Sequence, residues 1–297
     1  MKITLFKNKA EKSKVNKKRR LLFLFILLAL FIWTIWGNSA LEISEYTVES
    51  EELPKAFNGF RIAHVSDLHD AEIGKNNEKL LSLLKESSPD IIAITGDIVD
   101  CNRIDIDLSL NFVKEAVKIA PCYYVTGNHE AWLTDENFSK LEKGLLEHGV
   151  KILRGESVFI EKDGEKISLS GIDDSDFAMK NNSSPISQMS VENIKKISDF
   201  EGFKIFLSHR PEYFENYVEA DINLVLSGHA HGGQFRVPFV GGIYAPNQGF
   251  FPEYDSGICE KNNTKMSVSR GIGNSVFPFR LNNRPEIVLI ELKSEQK

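Results

Sequence analysis

The chain has 297 residues and a hydrophobic content of 42%, enough apolar material to bury one large core or two smaller ones. Its net charge of −6 is unevenly distributed, because residues 1–20 contain nine Lys and Arg residues and one acid, which gives +8 there and −14 elsewhere. The acidic balance of the main part argues against nucleic acid as a partner, since binding it requires clustered positive charge.

An apolar segment follows the basic leader. Residues 21–36 contain no charge and a single hydroxyl group. As a helix they span roughly 24 Å, somewhat less than the ~30 Å core of a bilayer unless flanking residues contribute. A cleaved signal peptide and an uncleaved signal-anchor both fit this pattern. The poor cleavage site at residues 38–40 and the interfacial residues Trp33 and Trp36 favour the anchor.

The distribution of positive charge predicts how the chain is arranged across the cell membrane. By the positive-inside rule, the basic leader lies in the cytoplasm and the rest of a single-pass protein lies outside. The predicted segments are a cytoplasmic leader (1–20), a transmembrane signal-anchor (21–37), a linker (38–58) and an extracytoplasmic domain (59–297).

After the predicted linker, apolar runs alternate with segments of helical periodicity. The predicted strands are 61–66, 90–95, 123–126, 157–161, 166–170, 204–207, 221–226 and 287–290. The predicted helices are 76–86, 107–119 and 135–148. Alternation of unbroken apolar strands with helices is typical of a parallel sheet that is covered on both faces.

Five of the predicted strands end in residues that can bind a metal. These residues are Asp67, His69, Asp97, Asn128, His209, His229 and His231. Because ligands of open α/β sheets bind at the carboxyl ends of the strands, we expect these side chains to converge. Mixed carboxylate and imidazole ligands suit a transition metal. Seven ligands exceed the needs of one four-coordinate metal, but two metals that share a bridging carboxylate can use them.

The motifs D-x-H, G-D-x-x-D, G-N-H-E, a single strand-end His and G-H-x-H-G-G-Q occur in this order. In this respect the chain resembles the calcineurin-like metallophosphoesterases, and most closely their membrane-associated bacterial branch of YkuE- and YaeI-type phosphodiesterases. The resemblance covers about residues 59–293 and implies a four-layer α/β/β/α sandwich, preceded here by one transmembrane helix.

The resemblance also implies roles for individual residues. Asp67, His69 and His231 would hold one divalent metal ion, Asn128, His209 and His229 would hold the other, and Asp97 would bridge the two. His129 matches the catalytic histidine of the family, and Asp100 would orient its ring. Arg210 and Arg270 are the residues that we expect to meet substrate.

The implied activity is that of a metal-dependent phosphoester hydrolase, a phosphodiesterase or pyrophosphatase that attacks phosphorus with a hydroxide held between the metals. The ligand set fits Mn, Fe or Zn. The chain has all seven ligands and His129, although a membrane-tethered sensor or binding module that holds the metals without turnover is an alternative.

The C-terminal part leaves two interpretations open. Phe250, Phe251, Phe277 and Phe279 flank Arg280 and Arg284. These residues would form an apolar rim with a cationic entrance for a lipid or polyprenyl phosphate, or the aromatic rings would pack within the second sheet.

Overall fold

Two six-stranded sheets bring the polar strand ends together. The computed structural model describes residues 2–177, 188–274 and 277–296. Numbered along the chain, the strands of the first sheet are β1 (Glu42–Ser50), β2 (Phe60–Val65), β3 (Ile91–Thr95), β4 (Cys122–Val125), β5 (Lys151–Ile152) and β16 (Glu286–Ser294). Those of the second sheet are β6 (Glu156–Lys162), β7 (Glu165–Gly171), β8 (Lys204–Leu207), β9 (Leu224–Ser227), β14 (Gly257–Lys261) and β15 (Thr264–Val268).

Most neighbouring strands are parallel, as the apolar runs predict. The first sheet has the order β1-β16-β2-β3-β4-β5, in which β2 to β5 are parallel and β16 is antiparallel to β2. The second has the order β14-β15-β9-β8-β7-β6, in which β15, β9, β8 and β7 are parallel. Two short hairpins follow β9 in the chain: β10 (Arg236–Val237) with β11 (Gly241–Gly242), and β12 (Tyr244–Ala245) with β13 (Gly249–Phe250).

Helices cover the outer face of each sheet. The helices are α1 (Lys2–Ser39), α2 (Glu78–Glu86), α3 (Ile106–Ala116), α4 (Asn128–Ala131), α5 (Asp135–Glu147), α6 (Val191–Ile197) and α7 (Phe214–Glu219). One buried cluster joins α2, α3 and α5 to the first sheet, and another joins α6 and α7 to the second sheet. A third cluster lies between the sheets. The predicted four-layer α/β/β/α architecture is therefore confirmed.

The segment predicted as a linker, 38–58, contains a strand of the first sheet. Strand β1 pairs in parallel with β16 along its whole length, from Glu42 opposite Glu286 to Ser50 opposite Ser294. Its largely polar sequence gave no apolar run to recognise, because only Val48 among its residues is fully buried. The folded domain therefore begins at Glu42, which corrects the boundary predicted at residue 59.

Helix α1 extends beyond the predicted transmembrane segment at both ends. Within it, Asn16–Ser39 is long and apolar enough to cross a membrane, and none of this segment is buried in the protein. Its 24 residues span roughly 36 Å, compared with a bilayer core of ~30 Å. The flanking residues thus supply the length that residues 21–36 lack.

Candidate metal centre

The loops that follow the strands have an unusual backbone at the predicted ligands. Asp67, His69, Asp97, His229 and His231 have φ between 48° and 65°, a region that residues other than glycine rarely occupy. Each such residue costs about 1–3 kcal/mol, and such residues cluster at functional sites. The backbone therefore supports the sequence-based assignment of a site at these strand ends.

Two glycines allow the loops to approach the carboxylates closely. A Cβ on Gly127 would lie 2.2 Å from Asp97 Oδ1, and a Cβ on Gly228 would lie 2.3 Å from Asp67 Oδ2. Neither distance is compatible with a methyl group. The space around both carboxylates thus depends on glycine at these two positions.

The first predicted ligand group assembles in the structure. The side-chain donor atoms of Asp67, His69 and His231 lie within 4.8 Å of one another. His231 Nε2 is 3.3 Å from Asp67 Oδ1 and 3.1 Å from His69 Nε2. All three side chains are almost completely buried. Buried carboxylate and imidazole groups at these distances form a three-ligand site for a cation.

The second group lies beside the first. His209 Nε2 is 3.1 Å from Asn128 Oδ1 and 3.1 Å from His229 Nδ1. Asp97 Oδ2 lies 3.3 Å from His209 Nε2 in this group and 3.5 Å from His69 Nε2 in the first. Asp97 therefore lies between the two groups, where a shared carboxylate is expected.

The histidines of the second group are oriented by hydrogen bonds outside the site. His209 Nδ1 lies 2.7 Å from the Thr95 carbonyl oxygen, and His229 Nε2 lies 2.9 Å from Asn247 Oδ1. A ring N–H donated to each oxygen leaves His209 Nε2 and His229 Nδ1 directed at the site, which is the usual arrangement of metal-binding histidines. The donor set therefore fits a pair of transition metals. No sequence signal identified Asn247.

The site contains more buried ionisable groups than it can pair internally. Burial lowers the pKa of His69 and of His229 to about 3 and raises that of Asp67 to about 6. Burial alone would raise the pKa of Asp97 and lower that of His209. The attraction between the two side chains outweighs burial, so the pKa of Asp97 lies well below its usual value and that of His209 is raised to about 10. Bound cations would supply the missing positive charge at this position.

Glu130 holds the two central strand ends together, a role that its motif did not reveal. Its fully buried carboxylate accepts hydrogen bonds from the backbone N–H groups of Asp97 (2.8 Å), Ile98 (2.8 Å) and Gly127 (2.6 Å). Burial, followed by the charge of Asp97, raises its pKa to about 7, whereas these N–H groups favour the charged form. Glu130 thus links the loop after β3 to the loop after β4.

Replacing Glu130 with Gln should destabilise the protein. The amide NH2 group would face backbone N–H donors, and each buried donor left without an acceptor costs about 1–3 kcal/mol. For a chain of this size the melting temperature falls by about 2–4 °C per kcal/mol. Circular dichroism of the full chain in detergent measures this shift, with Glu147→Gln at the exposed end of α5 as the control. Equal melting temperatures for the two variants would contradict this role of Glu130.

His129 lies beside the two ligand groups, and its ring is held differently from the prediction. The Cys101 backbone N–H donates to His129 Nδ1 at 3.1 Å. Asp100 Oδ1 is 3.7 Å from this nitrogen, too far for a hydrogen bond, and the Asp100 carboxylate binds Arg103 instead. The predicted orienting role of Asp100 is therefore corrected: a backbone amide orients the ring, and Nε2 is the nitrogen left to carry the ring proton.

The two predicted substrate-binding residues, Arg210 and Arg270, lie in different parts of the structure, and each binds carboxylates of the protein. Arg210 is buried beside the site, where its guanidinium binds Asp174 (2.6 Å) and Asp176 (2.8 Å). The Arg270 guanidinium binds Glu42 (2.5 Å) and Glu286 (2.6 Å), which lie on β1 and at the start of β16. Arg270 is thus committed to the junction of these strands, which corrects its predicted role.

The predicted cationic entrance does not form. Arg280 is fully buried and donates to the carbonyl oxygens of Arg270 and Gly273, and burial lowers its pKa to about 10. Arg284 binds Glu42 and lies over the Trp36 ring at 5.0 Å. The aromatic rings, by contrast, do not pack within the second sheet, since Phe250 and Phe251 are 73% and 67% exposed.

A cavity of about 260 Å³ opens above both ligand groups. It is lined by Asp97, Asn128, His129, Trp132, Asp176, Arg210, His229, His231, Tyr244, Pro246 and Asn247. The cavity therefore places candidate metal ligands from each group beside His129.

Comparisons with known proteins agree with this geometry. Residues 60–233 match the calcineurin-like phosphoesterase family, whose members use a dinuclear metal centre. The chain is 30% identical to the metallophosphoesterase YkuE of Bacillus subtilis over 263 residues, 86% of each chain. It is 28% identical to the phosphodiesterase YaeI of Escherichia coli over 241 residues, which cover 78% of this chain and 82% of YaeI.

A solved structure shares the fold. The sulfate thiohydrolase SoxB of Thermus thermophilus aligns with a TM-score of 0.50 at 12% identity, covering 81% of this chain and 57% of SoxB. The resemblance inferred from the five motifs is thus confirmed at the level of family and branch. The chain is a metal-dependent phosphoester hydrolase that belongs to the calcineurin-like phosphoesterase family.

Proposed function

We propose that this protein is a membrane-anchored phosphodiesterase that uses two divalent metal ions to hydrolyse a P–O bond. The observation that carries the proposal is the position of Asp97 between two buried ligand groups, 3.3 Å from His209 in one and 3.5 Å from His69 in the other. One carboxylate shared by two cation sites is suited to a dinuclear centre, which clamps phosphoryl oxygens.

Each ligand group would hold one ion, a Mn, Fe or Zn ion by its ligand chemistry. Asp67, His69 and His231 would bind the first, Asn128, His209 and His229 the second, and Asp97 both. When bound, such a pair lowers the pKa of water and places positive charge opposite the phosphoryl oxygens.

His129 would assist the leaving group. With Nδ1 accepting from the Cys101 N–H, the ring carries its proton on Nε2 and can donate a hydrogen bond to an ester oxygen. To transfer a proton fully, the ring must first take a second proton from water on Nδ1, where the Asp100 Oδ1 carboxylate oxygen lies 3.7 Å away. The leaving oxygen then takes the Nε2 proton and departs as the alcohol, which leaves the ring neutral with its proton on Nδ1. Release of that proton to water and uptake of another at Nε2 would restore the starting form.

Helix α1 would anchor the domain in the cell membrane with the active site outside. The support is the length and apolar composition of Asn16–Ser39 and the basic leader before it, which favours a cytoplasmic N-terminus. A protease-protection assay on intact cells, with a tag at each end of the chain, would test this topology. Protection of the N-terminal tag and loss of the C-terminal tag are expected.

Removal of metal should abolish hydrolysis. The purified full chain in detergent is treated with a chelator, dialysed and assayed with bis-p-nitrophenyl phosphate before and after addition of Mn²⁺, Fe²⁺ or Zn²⁺. We expect activity only after a metal is restored. Metal that binds with no hydrolysis of any phosphoester would instead support the alternative of a tethered sensor, and hydrolysis by the metal-free chain would contradict the proposal.

A further inference from the structure

Six large apolar side chains in the C-terminal part of the chain are exposed. We call Phe239, Val240, Phe250, Phe251, Phe277 and Phe279 the aromatic surface. Their exposed fractions run from 46% for Phe279 to 109% for Phe239. They come from the turn between β10 and β11, from β13 with the residue after it, and from residues 277–279. Large exposed apolar side chains from neighbouring segments are typical of an interaction site.

The aromatic surface is fixed beside the end of the membrane-spanning helix. Asn38 at the C-terminal end of α1 donates to the Arg280 carbonyl oxygen at 2.8 Å and accepts from the Arg280 N–H at 2.6 Å. Arg280 directly follows Phe279 in the chain. The Arg284 guanidinium lies 5.0 Å from the centroid of the Trp36 ring and donates to the Ala40 carbonyl oxygen. The loop that carries two of the six side chains is therefore bound to the helix end.

The connection between helix and domain is too short to separate them. Helix α1 ends at Ser39 and β1 begins at Glu42, so only two residues lie between them. An extended chain advances about 3.3–3.6 Å per residue, so this connection spans about 10 Å. A helix inserted in a bilayer would consequently hold this side of the domain at the membrane surface.

The aromatic surface also continues to the active-site cavity. The Phe250 ring lies edge-to-face with the Tyr244 ring, with centroids 5.4 Å apart, and Tyr244 lines the cavity. In the other part of the surface, the centroid of the Phe235 ring lies 5.4 Å from those of both Phe277 and Phe279. The backbone of Ile243 connects the two parts, because its N–H donates to the Phe235 carbonyl oxygen at 2.8 Å and its carbonyl oxygen accepts from the Phe251 N–H at 2.9 Å. The segments of the aromatic surface are thus connected from the helix end to the cavity mouth.

We infer that the aromatic surface is a second membrane contact, inserted into the interfacial layer of the bilayer that α1 crosses. Exposed aromatic side chains next to a membrane anchor suit this layer, where large rings are favoured. The cavity mouth then lies at the bilayer surface, and the substrate is a phosphodiester carried by a membrane lipid. In the reaction, the oxygen of water bonds to phosphorus, the P–O bond to one alcohol breaks, and that alcohol gains a proton. This substrate assignment rests on the proposed function.

Spin labels on the full chain test the membrane contact directly. A nitroxide is placed at position 239, 251 or 159 (Phe239→Cys, Phe251→Cys, Phe159→Cys) after Cys101, Cys122 and Cys259 are replaced with Ser, and the chain is reconstituted in vesicles of phosphatidylcholine and phosphatidylglycerol. Phe159 is the matched control, because it is 49% exposed on β6, an edge strand of the second sheet that carries none of the six side chains. We expect positions 239 and 251 to be accessible to oxygen and protected from a water-soluble nickel complex, and position 159 to show the reverse. Water-like accessibility at all three positions would overturn the contact.

Paired substrates test the consequence for activity. Wild type, the double variant Phe239→Ser/Phe251→Ser and the control Phe159→Ser are assayed on bis-p-nitrophenyl phosphate in solution and on dioleoylglycerophospho-p-nitrophenol in phosphatidylcholine vesicles. The double variant should hydrolyse the lipid diester about tenfold more slowly than wild type and the soluble diester less than twofold more slowly. The control variant should hydrolyse both at the wild-type rate. Equal effects on both substrates would overturn the substrate assignment, and no hydrolysis of either by the metal-loaded wild type would instead contradict the proposed function.

Discussion

Replacing Asp97 with Asn is expected to reduce hydrolysis by about 10²–10⁴-fold, because several kcal/mol of charge stabilisation depend on the metals and each 1.36 kcal/mol is tenfold in rate. Asn keeps the shape of the side chain but removes the charge that lies between the two ligand groups. Metal content, measured by mass spectrometry, should fall together with the rate on bis-p-nitrophenyl phosphate.

Asp163→Asn provides the matched control for this substitution. Asp163 lies in the exposed turn between β6 and β7 with φ of 50°, the same value as Asp97. The control should keep its metal and its rate, so that a loss in Asp97→Asn cannot be ascribed to asparagine in a left-handed backbone. Full activity of Asp97→Asn after treatment with a chelator would end the dinuclear scheme.

Replacing His129 with Ala should have an effect that depends on the leaving group. A general acid contributes about 10²–10⁴-fold when the departing oxygen needs a proton. Nitrophenolate leaves without a proton, so the rate on bis-p-nitrophenyl phosphate should fall by less than about tenfold. The rate on an alkyl diester such as glycerophosphoethanolamine should fall by about 10²-fold or more. The measurement is kcat/KM of wild type and variant on both esters.

His148→Ala is the control, because His148 directly follows α5 and does not line the cavity. It should leave both rates unchanged. Equal losses on the two esters in His129→Ala would show that the ring acts in binding or in support of the metals, and not as the acid.

The ligand set could be predicted because its residues occupy recognisable positions. Five of the apolar runs are followed by a His, Asp or Asn among the candidate ligands, and parallel strands bring their carboxyl ends to one edge of the sheet whatever lies between them. His69 and His231 illustrate this, since they are 162 positions apart in the sequence while their Nε2 atoms are 3.1 Å apart.

The predicted roles of Asp100 and Arg270 are wrong because backbone groups and residues distant in sequence determine the side-chain contacts at these positions. The Cys101 N–H, which donates to His129 Nδ1, has no signature in the sequence, whereas the family resemblance implies Asp100 as the orienting residue. The carboxylate partner of Arg270, Glu42, belongs to β1. The largely polar sequence of β1 did not predict a strand, so this ion pair could not be anticipated. Exposed aromatic rings are also rare enough that packing within the sheet was a reasonable alternative for Phe250.

Anomalous diffraction from crystals of the full chain grown with Mn²⁺ would test the metal assignment most directly. We expect two peaks, one within bonding distance of Asp67, His69 and His231 and the other within bonding distance of Asn128, His209 and His229, with the Asp97 carboxylate reaching both. A single peak, or two peaks away from these side chains, would contradict it.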